Sequence, residues 1–285
     1  MKKSWKEFIL FGIAACLAGV ILLAGCREEE KQYTYDIVFL GDSIVGNMDH
    51  EVSITGVLEE RLGKTVFNGG LGGSCMSYNN EEVFESDSNA QWSMVKLAQA
   101  IYAEDFSSQL AAVTYAEKYR SVNMQILDYF YDRIMQLSRI DFSQTEVLLI
   151  EHGTNDYNCG QKLESATDPM DPMTFAGALR RSLSLLREKY PDLRIILVSP
   201  IYCEIEGDGL YTCLETDFGG GTLDAYVQKE KEIAQEYGVE WIDMFYESGI
   251  WEDNLANYLY DGLHPSAEGI LLLGNLIADY LESGQ

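Results

Sequence analysis

Positive charge is scarce in this chain. Its 285 residues include 20 lysines and arginines against 46 aspartates and glutamates, and the formal net charge is −26. Nucleic-acid binding depends on lysines and arginines that displace the counterions of the phosphate backbone. The composition therefore predicts no nucleic-acid partner, and we interpret the acidity as a source of solubility that also keeps the protein clear of anionic lipid headgroups.

Motifs for metal and phosphate binding are also missing. Neither C-x-x-C nor H-E-x-x-H occurs, so the sequence predicts no metal site and no cofactor. Three consecutive glycines at 219–221 are not followed by the lysine and the serine or threonine of a P-loop. We interpret the surrounding loop, residues 215–221, as a mobile rim of a pocket or an idle linker.

The first 26 residues have the composition of an export signal. Three lysines lie among the first six residues, an uncharged stretch covers residues 8–23, and the tetrapeptide LAGC ends at Cys26. The tetrapeptide resembles a bacterial lipobox, whose cysteine is lipidated and becomes the new N-terminus. The alternatives are an uncleaved membrane anchor and an ordinary signal peptide. We expect a lipid anchor on Cys26, a polar tether over residues 27–32, and an extracytoplasmic protein attached to the bacterial cell membrane.

Short apolar runs alternate with segments of helical periodicity through the rest of the chain. Most runs are apolar without alternation, as expected of parallel strands buried on both faces. Their alternation with helices predicts a parallel sheet covered on both sides. The candidate strands are 37–40, 65–67, 147–150, 195–198 and 239–242. The candidate helices are 51–62, 174–189, 223–237 and 267–281, with Gly63 and Gly238 placed to end the first and third.

One interval does not follow this alternation of strands and helices. No convincing strand occurs between residues 79 and 144, although a crossover between parallel strands needs far fewer residues. Helical spacing recurs at residues 94–101 and 127–137. We interpret the interval as one crossover helix plus a helical insertion at about 79–125, which serves either as extra core or as a wall or lid over a substrate site.

Three polar motifs lie next to the predicted elements. Residues 41–43 (GDS) end the first strand, 153–156 (GTND) follow the third, and 261–265 (DGLHP) precede the last helix. Because the carboxyl ends of parallel strands form the crevice in which ligands bind, we expect these motifs to meet there. They supply a serine nucleophile, an amide donor, and a histidine base with an orienting acid, which are the components of acyl transfer.

Together with residues 68–73 (NGGLGG), these motifs resemble, in order, the four conserved blocks of the SGNH/GDSL hydrolase family. The resemblance covers about residues 33–281 apart from the insertion, and we expect one hydrolase domain over 33–285. It implies an α/β protein with a three-layer, flavodoxin-like fold and a five-stranded parallel sheet. The insertion is the larger departure from the family pattern, and Ile44, in place of the usual leucine, is a small one.

The resemblance also implies a role for each matching residue. Ser43 is the nucleophile, His264 is the base that takes its proton, and Asp261 is the acid that orients the histidine. The oxyanion hole consists of the backbone N–H groups of Ser43 and Gly73 and the side-chain amide of Asn155.

Other residues of the motifs are expected to support the site. We expect His152 to line the pocket without transferring protons, and Asp42 and Asp156 to organise their loops. Gly69, Gly70 and Gly72 either form a turn between strand and helix or contact a ligand.

The expected function is a serine esterase that removes acetyl or other short acyl groups from a small-molecule or polysaccharide ester, with carbohydrate as the expected substrate class. One alternative keeps the triad for a lipase, lysophospholipase or thioesterase and uses the insertion as a lid. Another is a cell-surface glycan-binding module whose site is idle. Aromatic residues that offer sugar-stacking surfaces are Trp92, Tyr102, Tyr202 and Tyr211. The sequence leaves the oligomeric state open.

Four cysteines remain after the predicted leader, and export makes disulfides possible. Cys203 and Cys213 would close a short loop. Cys75 and Cys159 each follow a candidate active-site loop, so a bridge between them would brace the site. Both pairings are hypotheses from sequence position alone.

Overall fold

Five parallel strands form the central sheet of the computed structural model, which describes residues 33–46, 52–78, 91–118, 129–206 and 209–284. The strand order is β2-β1-β3-β4-β7, and each neighbouring pair is parallel. The strands are β1 (Ile37–Gly41), β2 (Val66–Gly70), β3 (Val147–Glu151), β4 (Arg194–Val198) and β7 (Glu240–Ile242). This arrangement confirms the predicted five-stranded α/β fold.

Helices cover both faces of the sheet. They are α1 (Ser43–Gly46), α2 (Ile54–Leu62), α3 (Met94–Ala103), α4 (Ser107–Lys118), α5 (Phe130–Leu137), α6 (Thr154–Asn158), α7 (Phe175–Lys189), α8 (Leu223–Tyr237), α9 (Met244–Glu247) and α10 (Ala267–Ser283). Val38 and Leu40 of β1 point into the core shared with α3, α5, α7 and α8. Ile37 and Phe39 point to the opposite face, where α2 packs against α10. This two-sided burial explains why the strands are apolar without alternation.

Capping residues mark the starts and ends of the predicted helices. Gly63 and Gly238 adopt left-handed conformations, with φ of 62° and 60°, and end α2 and α8 as expected. At the start of α7, the Thr174 hydroxyl accepts a hydrogen bond from the N–H of Gly177. Ser266 caps α10 in the same way.

Strand β2 runs three residues beyond its predicted end, through Gly69 and Gly70. A Cβ on Gly70 would lie 2.3 Å from the main-chain nitrogen of Gly46, so only glycine permits α1 to approach this strand so closely. Gly69 is equally crowded, because a Cβ there would lie 2.6 Å from the Leu40 side chain. The expectation that Gly69 and Gly70 form a turn was therefore wrong, because they lie in the strand and make room for packing.

The described part of the insertion serves as core. Helix α3 packs against α7, and α4 packs against α5. Residues such as Val95, Ile101 and Val113 are completely buried or nearly so. Positions 79–90 and 119–125 of the predicted insertion lie outside the described residues.

A small antiparallel hairpin was not predicted. It consists of β5 (Glu204–Glu206) and β6 (Leu210–Thr212), with Ile205 opposite Tyr211. Three-residue strands carry too little periodicity to be recognised in a sequence.

None of the helices in the described ranges is long and apolar enough to cross a membrane. The predicted leader, the tether at 27–32 and Cys26 lie outside these ranges.

Candidate active site

The polar motifs converge beyond the carboxyl ends of β1, β2 and β3. Ser43 begins α1 two residues after β1 ends, and Asn155 lies in the first turn of α6, after β3. Residues 71–78, which follow β2 and are called here the Gly73 loop, are joined to β1 by a hydrogen bond from the N–H of Leu71 to the oxygen of Gly41. The parallel topology thus places three segments that are distant in the sequence at one edge of the sheet.

A chain of hydrogen bonds joins Ser43, His264 and Asp261. His264 Nε2 lies 3.1 Å from Ser43 Oγ, and His264 Nδ1 lies 2.7 Å from Asp261 Oδ2. Both ring nitrogens of the histidine are therefore engaged, one by a hydroxyl and the other by a carboxylate. This arrangement can move a proton from the serine to the imidazole while the carboxylate holds the ring.

The Asp261 carboxyl is held in place by its own turn. Its Oδ1 accepts hydrogen bonds from the N–H groups of Leu263 and His264, at 3.0 and 2.7 Å. Desolvation opposes ionisation of this carboxyl, but the hydrogen bonds from the His264 main chain and ring and from Leu263 outweigh it. The pKa of Asp261 therefore lies below its ordinary value of 3.8, and the group is a carboxylate at neutral pH.

The segment that carries His264 is fixed from two sides. The ring of Tyr260 stacks on the imidazole, with 5.8 Å between ring centroids and an interplanar angle of 19°. Gly262, with φ of 81°, accepts a hydrogen bond at its oxygen from the N–H of Glu204 in the hairpin. A Cβ at Gly262 would lie 2.3 Å from the Glu204 oxygen, so a larger residue would push the loop away.

Asn155 lies against the Gly73 loop. Its side-chain nitrogen donates to Asp42 Oδ2 at 2.9 Å and to the main-chain oxygen of Ser74 at 3.1 Å. Asp42 Oδ1 also accepts from the N–H of Ile44, which fixes the turn that presents Ser43. Asp42 therefore organises its loop as expected and, in addition, orients the Asn155 amide.

Gly73 is exposed and adopts a left-handed conformation, with φ of 76°. A Cβ at this position would meet no described atom within 4 Å, so the backbone conformation is what requires glycine. The structure brings the Gly73 loop, Asn155 and Ser43 to one side of the sheet edge, as the sequence predicted.

Asp156 anchors the far side of the Gly73 loop. Its Oδ2 accepts from the N–H of Met76 at 2.6 Å, and its Oδ1 accepts from the N–H and hydroxyl of Ser77 at 3.0 and 2.5 Å. Burial raises the pKa of Asp156 to about 6, although these hydrogen bonds favour the ionised form. The expectation that Asp156 organises its loop agrees with this geometry.

Two buried carboxyls lie beneath the site. Burial raises the pKa of Asp42 to about 6, and burial together with the neighbouring Asp42 raises the pKa of Glu151 well above its ordinary value. Two adjacent carboxyls in a buried site do not both ionise, so we assign the proton of the pair to Glu151, whose pKa is raised further. Sequence reasoning missed Glu151, and its only signal was a charged residue at the end of an apolar strand.

His152 supports the Gly73 loop from below. Its Nε2 lies 3.1 Å from the hydroxyl of Ser74, and the residue is completely buried. Burial lowers the pKa of His152 to about 3, so the imidazole is neutral at physiological pH. Its protonation state therefore does not change in that range, which agrees with the expectation that it does not transfer protons.

The loop at 215–221 is packed and internally bonded. Asp217 Oδ1 accepts from the N–H groups of Gly219 and Gly221, and a Cβ on Gly220 would clash with the Gln161 oxygen. Phe218 packs edge-on against Tyr157 of α6, with 5.1 Å between ring centroids. The loop therefore packs against the helix that carries Asn155.

The family model for GDSL-like lipases and acylhydrolases matches residues 39–270. The match spans most of the chain and includes Ser43, Asn155, Asp261 and His264. The chain belongs to this family. As a GDSL-like hydrolase it is an enzyme that cleaves carboxylic esters, which confirms the resemblance read from the motifs.

Solved structures share the fold of this GDSL-like hydrolase. A protein from Lactobacillus plantarum is 19% identical, with a TM-score of 0.58 over 88% of this chain and 99% of that one. A possible lipase from Chitinophaga pinensis is 16% identical, with a TM-score of 0.57 over 87% of this chain and 98% of that one. Est24, a carbohydrate acetylesterase from Sinorhizobium meliloti, is 16% identical over 89% of this chain and 100% of that one. Its TM-score of 0.49 is too low to bear on the substrate. A search of curated protein sequences found no match.

Among the residues that the structure describes, no group of three or more histidines, cysteines, aspartates or glutamates is arranged to hold a metal ion.

Proposed function

We propose that this GDSL-like hydrolase removes acetyl or other short acyl groups from carbohydrate, with Ser43 as nucleophile. The observation that carries the proposal is the continuous hydrogen-bond chain from Ser43 Oγ through His264 to Asp261. A serine hydroxyl is a weak nucleophile unless an adjacent base takes its proton. The only imidazole bonded to Ser43 in the described chain is that of His264, and the Asp261 carboxylate stabilises the imidazolium that forms.

The reaction has two steps. Ser43 Oγ attacks the ester carbonyl while His264 takes the hydroxyl proton, and the histidine then protonates the departing alcohol. A water molecule, deprotonated by His264, attacks the acyl-serine, and the histidine returns this proton to Ser43 Oγ as the acid is released. Asp261 stays ionised throughout and keeps Nδ1–H of the imidazole pointed towards itself.

The tetrahedral intermediate requires donors for its negative oxygen. The N–H groups of Ser43 and Gly73 and the amide of Asn155 come from three segments that the topology gathers at the same edge. Losing one such donor costs about 3 kcal/mol of transition-state stabilisation. The bonds from Asn155 to Asp42 and Ser74 preorganise this donor before substrate binds.

Exposed aromatic residues support a carbohydrate as the alcohol. Tyr260 is 51% exposed and stacks on His264, and Phe218 is 37% exposed and lies 5.7 Å from the ring of Tyr211. Flat aromatic surfaces beside a reacting centre suit the apolar faces of sugar rings. Trp92 and Tyr202, which we expected to contribute, are only 2% and 3% exposed and belong to the core.

The packing of the insertion favours a short acyl group over a long one. In the described part of the insertion, α3 is buried in the core, so it does not form a lid of the kind that a lipase needs. Rates for acetyl and octanoyl esters of p-nitrophenol separate the two candidates. An esterase for short acyl groups loses rate steeply with chain length, whereas faster cleavage of the octanoyl ester would favour the lipase.

The assignment of Ser43 is tested with p-nitrophenyl acetate and a fluorophosphonate probe. Ser43→Ala should lower kcat by about 10⁴-fold or more and abolish labelling by the probe. Ser107→Ala, at the exposed start of α4, is the matched control and should behave like the native chain. Unchanged turnover in Ser43→Ala would refute the nucleophile, and a native chain that the probe does not label would favour the idle glycan-binding module.

The carbohydrate itself is identified by acetate release. Acetylated cell-wall and plant polysaccharides are incubated with the native chain and with Ser43→Ala. Release that depends on Ser43 from one or more of these polymers supports the proposal. Rapid cleavage of p-nitrophenyl acetate without release from any polysaccharide would contradict the carbohydrate assignment while leaving the esterase intact.

The lipobox-like tetrapeptide supports a location outside the cytoplasm, with Cys26 as the lipid attachment site. The full chain expressed in bacteria should incorporate a labelled fatty acid and sediment with membranes, whereas Cys26→Ala should do neither. Equal lipid labelling of Cys26→Ala would contradict this anchor.

A further inference from the structure

Four cysteines lie in the described residues, and they form two neighbouring pairs of free thiols. The Cys75 thiol lies beside that of Cys159, and the N–H of Cys203 donates a hydrogen bond to the Cys213 sulfur at 3.4 Å. The two pairs differ in exposure. Cys159 is exposed and its partner is buried, whereas both Cys203 and Cys213 are completely buried. Only the first pair therefore presents a sulfur to reagents in solution.

The Cys75–Cys159 pair lies at the seam between the Gly73 loop and α6. Ser74, immediately before Cys75, accepts a hydrogen bond from Asn155, and Met76, immediately after it, donates one to Asp156. Cys159 ends α6, and its N–H bonds to the oxygen of Asn155. The two sulfurs thus connect the two segments that carry candidate oxyanion donors.

The two thiols have different chemical characters. The neighbouring Cys75 thiol lowers the pKa of Cys159 to about 7, although desolvation opposes this change. The interaction with Cys159 and burial raise the pKa of Cys75 well above its ordinary value. An exposed sulfur that is partly ionised at neutral pH, next to a buried thiol, is the arrangement of an attacking cysteine and a resolving cysteine.

We propose that Cys75 and Cys159 are a redox-active pair whose disulfide joins the Gly73 loop to α6. The disulfide is a covalent replacement for the thiol contact, and it holds together the segments that are already joined by the Asn155–Ser74 and Asp156–Met76 hydrogen bonds. Its effect on ester hydrolysis rests on the function proposed above, but its formation does not.

The oxidant is a disulfide of low molecular weight or of a thiol–disulfide oxidoreductase. The Cys159 thiolate attacks one sulfur of this donor disulfide, whose S–S bond breaks, and the first donor thiolate leaves. Cys75 then loses its proton and attacks the Cys159 sulfur of the mixed disulfide, and the second donor thiolate leaves. The two cysteines lose two electrons and two protons, and the donor disulfide gains them as two thiols.

The test uses the full chain equilibrated with oxidised or reduced glutathione, followed by alkylation and peptide mapping. We expect a peptide that contains Cys75 joined to one that contains Cys159 under oxidising conditions, and its loss under dithiothreitol. Because the bond links segments far apart in the sequence, oxidation should also raise the melting temperature by about 5 °C or more. Separate alkylated peptides at every glutathione ratio would overturn the proposal.

Two variants control for the other pair. Cys159→Ala changes an exposed side chain and should remove the linked peptide and the redox-dependent shift in melting temperature. Cys213→Ala, in the buried pair, should retain both. If Cys213→Ala fails to fold, the peptide map of the native chain still decides which cysteines are joined. A redox-dependent shift that persists in Cys159→Ala would assign the effect to Cys203 and Cys213 and reject the proposal.

Ester hydrolysis is measured on the same samples after a heat challenge. The oxidised native chain should retain more p-nitrophenyl acetate cleavage than the reduced one, and Cys159→Ala should show no such difference. A native chain that cleaves no ester in either state would contradict the proposed function only, because mapping and melting do not depend on activity.

Discussion

The side-chain amide of Asn155 hydrogen-bonds to the carboxylate of Asp42, with Nδ2 and Oδ2 separated by 2.9 Å. The same nitrogen lies 3.1 Å from the main-chain oxygen of Ser74. A primary amide has two hydrogens, and both are therefore engaged before substrate arrives. An oxyanion must share or replace the bond to Ser74, while the bond to Asp42 keeps the amide in position.

We predict that Asp42→Ala lowers kcat for p-nitrophenyl acetate by about 10- to 100-fold with little change in KM. The Asn155 donor would lose the acceptor that orients it. The transition state would then be stabilised less, because this donor is aimed at the oxygen on which negative charge develops. Asp42→Asn offers an oxygen acceptor at the same place and should retain more activity than Asp42→Ala. A rise in KM at unchanged kcat would contradict this positioning role, and circular dichroism controls for folding.

Asp261→Asn is predicted to reduce kcat by about 10³- to 10⁴-fold. The asparagine oxygen can still accept from the N–H groups of Leu263 and His264, so the turn is kept. Its NH₂ group, however, faces Nδ1 of the imidazole and favours the tautomer that cannot accept a proton from Ser43. Asp243→Asn, at the cap of α9, is the control and should leave kcat near the native value. Activity of Asp261→Asn within tenfold of native would argue against the orienting role.

Gly262→Ala is predicted to lower activity more than its backbone strain alone explains. Gly262 and Gly63 both have positive φ, so alanine is strained at either position by about 1 kcal/mol. Only at Gly262 does the new Cβ meet a backbone atom, the Glu204 oxygen at 2.3 Å. Gly63→Ala therefore controls for the strain. Similar kcat and melting temperature in both variants would show that docking on the hairpin does not position His264.

The stability of the protein is predicted to fall as pH rises from 5 to 8. Burial raises the pKa of Glu230 to about 8, although Trp241 Nε1 donates a hydrogen bond to its carboxyl. The native state then holds a proton that the unfolded state has released, so the free energy of unfolding decreases with pH until the folded pKa is passed. Asp42 and Asp156, whose pKa values are raised to about 6, act in the same direction over a narrower range.

Urea unfolding of Glu230→Gln measures this contribution. Glutamine keeps an acceptor for Trp241 and has no proton to lose, so the decrease between pH 5 and 8 should shrink by on the order of 2 kcal/mol. The matched control is Glu232→Gln on the exposed side of the same helix, which should leave the pH dependence unchanged. An identical slope in Glu230→Gln and the native chain would mean that Glu230 is already ionised in the folded state.

Much of the fold could be predicted because its signals are local. Apolar runs predicted the strands of the sheet, and Gly63 and Gly238 predicted two helix ends. The β5–β6 hairpin and the role of Gly70 could not be predicted, since a three-residue strand has no clear periodicity and a close helix–strand contact involves distant partners. Trp92 was expected to offer its ring to a sugar, but the ring is buried in the core. The residue type does not determine burial, because burial depends on the segments that pack around the side chain.

The candidate site also has a part that could be predicted from the sequence and a part that could not. The motifs contained Ser43, Asn155, Asp261 and His264 in an order that indicated their chemistry. They did not indicate that Glu151 would lie beside Asp42 or that Tyr260 would stack on His264. These relationships depend on which side chains share one small volume, and sequence spacing carries little information about that.

The amino-acid sequence by itself determined the strand–helix alternation, the family, and the identity of the groups available for acyl transfer, because periodicity, caps and short motifs act over a few residues. Only the tertiary structure decided that His264 reaches Ser43 and that Cys75 meets Cys159. It also decided that part of the insertion is core, and that burial raises the pKa values of Asp42 and Glu230. Distances between remote segments and the loss of solvent around a charge arise only when the parallel sheet and its helices pack together.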